Sequence, residues 1–449
     1  MNRIIKRGVC NLKFKINLTM KIILYENNQV EKLYPLTLTR PSFDIFCGAL
    51  TLFGAIEKIF PDCSIDYEVR DYLLATTERK YLRKDAGESE TLFLDGSLIP
   101  SLEAAGELAK LVLAGKEAVF KSGGRVVGGF CLSDGVIPFP LTSDYPLASA
   151  RGSSDKSFGA GAGSEGAMED RLNELNLPAI EIDWPVFNYP WEVITFNQEI
   201  LADNLAHLKK YYKEIKPDVY VGREVILPPQ IVLNSSHGPI IIDEGSRVLP
   251  FCHLVGPLYI GKNCLIREFT VLKYGCCLGP VCKAGGEIEA SIFQGYGNKN
   301  HHGFFGYSYL GEWVNLGAGT TTSNLKNSYG LIKVFGADTG QQFLGSIIGD
   351  YSRTAVNTPI YAGKVIGASS HLYGTVVKDI PSFTAYAASF GCAVEFDLAE
   401  AIKIQKIVMA RRNFEASEID RQLLKDVFAL TQAEREKMNI KPGKLEFKI

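Results

Sequence analysis

Residues 242–279 read IDEGSRVLPFCHLVGPLYIGKNCLIREFTVLKYGCCLG, and an aliphatic residue recurs in this stretch at every sixth position. The series consists of Ile242, Val248, Leu254, Ile260, Ile266, Leu272 and Leu278. A sandwich of alternating strands would give a period of two, whereas a coil of three short strands gives a period of six. The spacing therefore predicts a left-handed parallel β-helix, in which each aliphatic side chain points inward and stacks on its counterpart one coil away.

The same period returns further along the chain, but its phase changes twice. The later members are Leu310, Leu316, Ile348, Ile360, Ile366 and Leu372. The intervals from Leu278 to Leu310 and from Leu316 to Ile348 are not multiples of six. We therefore expect insertions that leave the coil near residues 280–308 and 324–346, and long excursions from a regular scaffold commonly carry function.

The sequence before the repeat has a different pattern. Short apolar runs at 22–25, 91–94 and 118–121 alternate with helical or irregular stretches such as 101–114, and 197–215 has the apolar spacing of a helix, which indicates an α/β domain. The predicted segments are an N-terminal extension at 1–20, an α/β domain at 21–216 with a flexible Gly/Ser-rich insertion at 151–170, the β-helix at 217–392 and a helical tail at 393–449.

Composition restricts the class of protein. The chain has 449 residues, a charged fraction of 22% and a net charge of −2, which gives no electrostatic reason to expect nucleic acid or a membrane as partner. Its ten cysteines include no C-x-x-C pair and are interpreted as buried reduced thiols. Residues 1–20 are basic but lack the apolar run of a signal peptide, so we interpret them as a mis-assigned start before Met20, or else as a targeting extension. We expect a cytoplasmic protein.

The stretch 301–320, HHGFFGYSYLGEWVNLGAGT, carries the best candidates for chemistry. His301 follows an excursion rich in Asn and Gly, where a partly exposed imidazole would suit a general base. Gly317 and Gly319 remove side chains from a turn, so a thioester could approach the backbone amides there. A structural role for His301 on the coil is the alternative interpretation.

The spacing H-x-x-F-F-G-x-S-x-L-G, followed by V-N-L-G-A-G-T and S-N, resembles the acetyltransferase half of GlmU-type bifunctional enzymes, which make UDP-N-acetylglucosamine. The resemblance implies that His301 deprotonates a sugar amine and that Asn315 and Asn324 contact the substrate. It also implies that the turn Gly317-Ala318-Gly319 binds acetyl-CoA. Two positions depart from the family, because Phe304 and Leu325 stand where it has tyrosines.

The N-terminal segment P-L-T-L-T-R-P at 35–41 resembles the P-L-T-x-x-x-P segment of sugar nucleotidyltransferases. That family cradles a nucleoside triphosphate on a Gly-rich loop and holds Mg²⁺ on an aspartate. Here NQVEK at 28–32 replaces the loop and Ser97 stands at the acidic position. The resemblance implies phosphate contacts from Lys32 and Arg40 and a possible Mg²⁺ ligand at Asp95; an interdomain salt bridge is the alternative for Arg40.

From about residue 21 to 390 the chain is identified as a member of the GlmU-like sugar nucleotidyltransferase family. The leading hypothesis is a homotrimeric transferase that moves an acetyl group from acetyl-CoA to an amino-sugar phosphate. One alternative is a sugar-1-phosphate nucleotidyltransferase with the β-helix as trimerisation module. The other is a non-catalytic sugar-nucleotide-binding scaffold.

Overall fold

A computed structural model describes residues 20–81, 90–132, 168–387 and 391–445 of the chain. The predicted order is confirmed, because an α/β domain is followed by coils of parallel strands and then by helices. The predicted extension before Met20 and most of the Gly/Ser-rich insertion lie outside the described residues.

The N-terminal domain is built on a six-stranded sheet in the order β2-β1-β3-β5-β4-β6. Its strands are β1 Lys21–Tyr25, β2 Ser64–Glu68, β3 Thr91–Asp95, β4 Ala118–Ser122, β5 Arg125–Cys131 and β6 Ala179–Glu181. Strand β1 lies at the centre of a parallel β2-β1-β3 unit, and β5 runs antiparallel to β3. All three apolar runs expected from the sequence are strands of this sheet.

Five helices in the described part of this domain cover the sheet. They are α1 Leu52–Ile59, α2 Asp71–Lys80, α3 Leu102–Leu113, α4 Met168–Glu174 and α5 Glu192–Leu208, with single 3-10 turns at Val30–Leu33, Ser42–Asp44 and Lys209–Tyr211. The stretch 101–114, expected to be helical or irregular, forms helix α3, and Ser101 caps it by accepting a hydrogen bond from the Ala104 amide.

The predicted helix at 197–215 is wrong at its C-terminal end. Helix α5 ends at Leu208, and Lys213–Lys216 (β7) pairs in antiparallel register with Val219–Val221 (β8). These pairing bonds join residues 213–216 to the first sheet of the β-helix, and this tertiary pairing overrides the local helical spacing.

Parallel strands from three faces form the β-helix. They are β9 Val232–Asn234, β10 Ile240–Ile242, β11 Arg247–Val248, β12 His253–Val255, β13 Leu258–Ile260, β14 Leu265–Ile266, β15 Val271–Lys273, β16 Cys277–Leu278, β17 Lys283–Ala284, β18 Glu287–Glu289, β19 Ile292–Phe293, β20 Asn298–Lys299, β21 Phe304–Gly306, β22 Tyr309–Leu310 and β23 Thr321–Thr322. After an antiparallel hairpin of β24 Lys333–Val334 and β25 Ala337–Asp338, the coil continues with β26 Ile347–Ile348, β27 Arg353–Thr354, β28 Pro359–Ile360, β29 Val365–Ile366, β30 His371–Leu372 and β31 Thr384–Ala387.

The inward side chains of the first face form one ladder. In register these are Ile242, Ile260, Leu278, Phe293, Leu310, Ile348 and Ile366. Every one of them is buried. Since burial of one such side chain is worth about 1.5–3 kcal/mol, the ladder accounts for much of the stability of the coil.

The first change of phase has a different cause from the one expected. Leu278 pairs with Phe293, fifteen residues later, and Phe293 pairs with Leu310, seventeen residues later. Residues 280–308 therefore stay in the coil, and the predicted insertion there is wrong because the coils are shortened instead. The second excursion is confirmed, since 324–346 leaves the coil and contains the β24–β25 hairpin.

The C-terminal tail is helical only from Leu398. Strand β32, Cys392–Glu395, pairs with β31, and helices α6 Leu398–Ala410, α7 Glu418–Leu430 and α8 Gln432–Lys437 follow, before a short strand β33 at Lys441–Pro442. Helix α7 packs against α2 of the N-terminal domain, where Arg79 donates two hydrogen bonds to Asp420. The tail thus contacts both parts of the molecule.

The α/β domain and the β-helix share one continuous cluster of buried side chains. Polar contacts cross the same junction: the Phe46 amide donates to Gln294 Oε1 at 2.9 Å, and Gln294 Nε2 donates to the Asp44 carbonyl at 2.7 Å. All nine cysteines in the described ranges are free thiols and eight are buried, as predicted. Within the same ranges, no helix has the length and apolar character needed to cross a bilayer.

Candidate active site

A cavity lies on the outer surface of the β-helix where four residues from consecutive coils stand in parallel register. Lys283 is beside Asn298, Asn298 is beside Asn315, and Asn315 is beside Arg353. Each precedes a buried residue on its strand, so these four side chains project outward. Since neighbouring coils lie about 4.8 Å apart, the column brings groups from distant parts of the sequence within reach of one small molecule.

The C-terminal tail closes one side of this cavity. The end of helix α6 and the residues directly after it line the wall with Val408, Arg411 and Arg412. Tyr296 and Trp313 add an aromatic side, with their rings stacked 4.2 Å apart. The enclosed volume is about 170 Å³.

His301 and Asn315, two residues predicted from the motif, line this same cavity. His301 is exposed at the corner after β20, and Asn300 lies beside it in the lining. The Asn315 side chain accepts a hydrogen bond from Asn298 Nδ2, which fixes its amide. The fold therefore brings a potential proton acceptor and an oriented amide to one solvent-accessible space.

A buried lysine supports the backbone at His301. Lys299 occupies an inward position of the coil, and its ammonium donates to the carbonyl oxygens of Gly285 at 2.7 Å and His301 at 2.9 Å. Burial lowers the pKa of Lys299 to about 8. Lys299 thus ties the corner that presents His301 to the preceding coil.

The turn at 317–319 is engaged largely in coil packing. The Gly317 amide donates to Thr354 Oγ1 at 2.9 Å, and the Gly319 amide donates to the His302 carbonyl at 3.2 Å. A Cβ at Gly317 would lie 2.5 Å from the Ala355 carbonyl oxygen, so contact between coils already accounts for this glycine. Only the Ala318 amide in this turn makes no hydrogen bond to the described residues.

Asn324 lies apart from the cavity. A Cβ on Gly306 would be 3.2 Å from Asn324 Nδ2, which places Asn324 next to strand β21 and close to Phe304. It is not among the residues that line the cavity with His301. The structure therefore brings together only part of the predicted set.

The cavity is strongly cationic. Burial lowers the pKa of Lys283, and the charges of Arg412 and Arg411 lower it further. Burial likewise lowers the pKa of Arg353, with a smaller contribution from Arg411. Both shifts have the same two causes, partial burial and the positive charge of neighbouring arginines.

Asp95, predicted as a possible Mg²⁺ ligand, is fully buried and saturated with protein donors. Its Oδ1 accepts from Asn27 Nδ2, from the Ser97 amide and from Ser97 Oγ, at 2.7–2.8 Å. Its Oδ2 accepts from Arg125 Nη2 at 2.6 Å. Because Arg125 neutralises the carboxylate, and because the described residues contain no cluster of acidic, His or Cys side chains that could hold an ion, this site does not fit Mg²⁺.

The two predicted phosphate contacts of the N-terminal domain are placed apart. Lys32 is exposed and donates to Gln29 Oε1 at 3.0 Å. Arg40 is buried and pairs with Asp350 and Glu312 of the β-helix. Arg40 therefore forms the interdomain ion pair that the sequence left as its alternative, and its guanidinium does not face a nucleotide site.

Sequence reasoning missed most of the cavity wall. Three of the missed residues directly precede an inward residue of the repeat, namely Lys283, Asn298 and Arg353. With the length of each coil known, the repeat would have predicted that they share one outer face. Nothing in the local sequence of Arg411 and Arg412 indicates that they meet this face.

Comparison with known proteins agrees with the motifs. Residues 22–212 match the family described as "Sugar nucleotidyl transferase". A bifunctional protein GlmU of Synechococcus sp. (strain CC9902) is 32% identical over 184 residues, covering 37% of this chain and 38% of that protein. The GlmU of Jannaschia sp. (strain CCS1) is 28% identical over 167 residues, covering 36% and 33%. The chain thus spans 38% and 33% of the length of these two relatives.

An archaeal relative and a solved structure add to the comparison. A bifunctional sugar-1-phosphate nucleotidylyltransferase/acetyltransferase of Sulfurisphaera tokodaii is 30% identical over 152 residues, covering 31% of this chain and 37% of that protein. The crystal structure of an Arabidopsis UDP-N-acetylglucosamine acyltransferase aligns at a TM-score of 0.27 and 16% identity, covering 52% and 84%, which is too weak to support an argument. Residues 22–212 therefore resemble the sugar nucleotidyl transferase family, and parts of the chain are similar to GlmU proteins.

Proposed function

We propose that this chain is a transferase of sugar-nucleotide biosynthesis that acetylates the amine of an amino-sugar phosphate with acetyl-CoA. The observation that carries the proposal is that His301 and Asn315, both matched by one sequence motif, line one cavity. The matched GlmU proteins are described as bifunctional, and the archaeal relative is named as a nucleotidylyltransferase/acetyltransferase. These names support the same class of reaction for this chain.

In the proposed reaction His301 accepts a proton from the acceptor amine as the nitrogen attacks the thioester carbon. The new bond is an amide C–N bond, the bond broken is the thioester C–S bond, and the proton held by His301 passes to the departing thiolate. Asn315 orients the acceptor through its side-chain amide. The Ala318 amide, which has no partner among the described residues, is the donor we assign to the developing oxyanion.

The assembly and the compartment are part of the same proposal. We infer a homotrimer, because the GlmU-type resemblance implies one and because the outer faces of a β-helix offer flat surfaces for self-association. A cytoplasmic location is supported by the free thiols in the described ranges, since disulfides are rare in reducing compartments.

Nucleotidyl transfer by the N-terminal domain has weaker support. The family match covers that domain, and this favours recognition of a nucleotide or a sugar phosphate there. However, the Asp95 carboxylate is ion-paired with Arg125, so it does not offer a free ligand for a metal-dependent step. Lys32 remains the exposed cation that would contact a phosphate if this domain binds one.

The test is release of free CoA from acetyl-CoA by purified protein with a panel of amino-sugar 1-phosphates. We expect release that depends on the acceptor, and its loss in His301→Ala. His253→Ala is the matched control, because His253 is an exposed histidine on strand β12 and lies outside the cavity lining. Absence of acceptor-dependent release across the panel, or equal activity in His301→Ala, would overturn the proposal and leave the scaffold hypothesis.

A further inference from the structure

The cationic groups of the cavity come from three separate parts of the chain. Lys283 and Arg353 belong to β-helix coils, and in the outward column Lys283 stands next to Asn298 and Arg353 next to Asn315. Arg411 and Arg412 come from the end of helix α6. Only the tertiary fold places these four charges around one space.

These four cations have no acidic partner. None of the lining residues is Asp or Glu, and across the described residues none of the four forms a salt bridge. Lys283, Arg353 and Arg412 are partly buried, whereas Arg411 is exposed. Cations that lose part of their hydration are normally paired, because an unpaired charge removed from water is costly. A cluster of this kind therefore suits an anion from outside the chain.

Individual donors in the cluster are also unsatisfied. Arg353 Nε and Nη2 and Arg412 Nε are buried and have no hydrogen-bond acceptor among the described residues. Buried guanidinium nitrogens without acceptors are rare, since each costs the full desolvation of a charged donor. Their planar geometry suits the oxygens of a phosphate group.

The same cavity holds unsatisfied acceptors. Asn298 Oδ1 and Asn300 Oδ1 are buried without a donor among the described residues. Hydroxyl or amine groups would satisfy them. The lining therefore combines donors for an anion with acceptors for hydroxyl groups, which is the complement of a phosphorylated polyol or sugar.

A structural explanation accounts for only half of the cluster. Cations are favourable at helix C-termini because of the helix dipole, and this explains Arg411 and Arg412. It does not explain Lys283 and Arg353, which lie on strands and raise the repulsion within the cluster. A fully solvated basic surface would leave the guanidinium nitrogens of Arg353 in water, whereas Nε and Nη2 are buried.

We propose that Lys283, Arg353, Arg411 and Arg412 form a binding site for a phosphate group, with Asn298 and Asn300 receiving hydroxyl groups of the same ligand. Two substrates of the proposed reaction carry this chemistry, namely the amino-sugar phosphate and the nucleotide end of CoA. The identity of the ligand rests on the proposed function, whereas the anion site itself does not.

The test is isothermal titration of the full-length protein with inorganic pyrophosphate at constant ionic strength. We expect binding to the wild type and a loss of about tenfold or more in affinity for Arg353→Gln and for Lys283→Gln, because each removes a charge-assisted contact. Arg247→Gln is the control, since Arg247 is an exposed residue on the same face of the β-helix but outside the cavity.

Two further arms separate the sources of the phosphate. Glucosamine 1-phosphate and adenosine 3′,5′-bisphosphate are titrated in parallel, and the source is the compound whose binding Arg353→Gln weakens. Binding is measured without turnover, so a failed acetyl-transfer assay with intact anion binding would overturn only the proposed reaction. Absence of pyrophosphate binding to the wild type, or equal affinity in all variants, would overturn the site.

His371 gives a readout that a folding defect would not imitate. It neighbours Arg353 on the next coil, and burial followed by the charge of Arg353 lowers its pKa to about 4. Neutralisation of Arg353 by a bound anion should raise the pKa of His371 in an NMR titration. An unchanged His371 pKa at saturating pyrophosphate would place the anion elsewhere and contradict the proposed site.

Discussion

Arg40 of the α/β domain donates two hydrogen bonds to the carboxylate of Asp350 in the β-helix, at 2.5 and 3.2 Å, and both side chains are 3% exposed. Thr39 Oγ1 and the Glu312 amide donate to the same carboxylate. The segment that resembles a nucleotidyltransferase motif is thus built into the junction between the two parts.

Removing the charge of Asp350 should strongly destabilise the protein. We expect Asp350→Asn to lower the free energy of unfolding by about 3 kcal/mol, because Arg40 is left buried without its main counter-ion. Replacement of both partners, Arg40→Met with Asp350→Leu, should recover part of this loss. Denaturant unfolding measures both.

The control for that prediction is an exposed ion pair on helix α3. Lys110 lies 2.5 Å from Glu107, and Glu107→Gln should change stability by less than about 0.5 kcal/mol. A change for Asp350→Asn as small as that of the control would contradict the importance of the junction.

The buried ammonium of Lys299 should give the protein a specific pH dependence. Its pKa is lowered from 10.5 to about 8, so between these values the unfolded chain binds a proton that the folded protein has released. Stability should therefore rise with pH across this window, by up to about 3 kcal/mol, relative to Lys299→Met. Denaturant unfolding of both proteins from pH 7.5 to 10.5 measures the difference, and a constant difference would contradict the assignment.

Gly319 should tolerate no side chain. Its φ is 75°, and a Cβ would lie 2.1 Å from Asn357 Oδ1 on the next coil. Gly336 has a φ of 83° with nothing within 4 Å, so Gly336→Ala measures the conformational cost alone, about 1 kcal/mol. We expect Gly319→Ala to lower the melting temperature clearly more than Gly336→Ala, and equal shifts would show that the coil relaxes around the added methyl group.

Magnesium should not stabilise this protein through Asp95. The carboxylate is already bound by Arg125, so the melting temperature should be the same in MgCl₂ and in NaCl of equal ionic strength. Asp95→Asn should instead lower stability by about 2 kcal/mol, since it weakens a buried charged hydrogen bond. A Mg²⁺-dependent rise in melting temperature that Asp95→Asn abolishes would restore the metal site.

The architecture could be predicted because it depends on a local period. The series of aliphatic residues at every sixth position from Ile242 to Leu278 can be recognised from the spacing alone, and every member is buried as expected. The same reasoning failed where a coil is shorter than the regular eighteen residues. Phe293 takes the inward position that the period would give to residue 296. A count of six cannot distinguish a deletion from an insertion.

The site was predicted only in part for a related reason. His301 and Asn315 are close in sequence and share a motif, whereas Lys283 and Arg353 meet only through the register of intervening coils. The contribution of Arg411 depends on where a separate helix packs. Arg40 shows the opposite case, because a motif residue has taken a structural contact that its local sequence does not reveal.

The continuous buried cluster that joins the α/β domain to the β-helix affects how the two parts can evolve. Domains connected by a linker can be exchanged or lost one at a time, but here each half supplies part of the interior of the other. If the α/β domain lost its nucleotide chemistry, it would still be needed to cover the apolar face of the β-helix. Loss of the N-terminal domain would therefore expose apolar side chains of the β-helix, whatever reaction that domain performs.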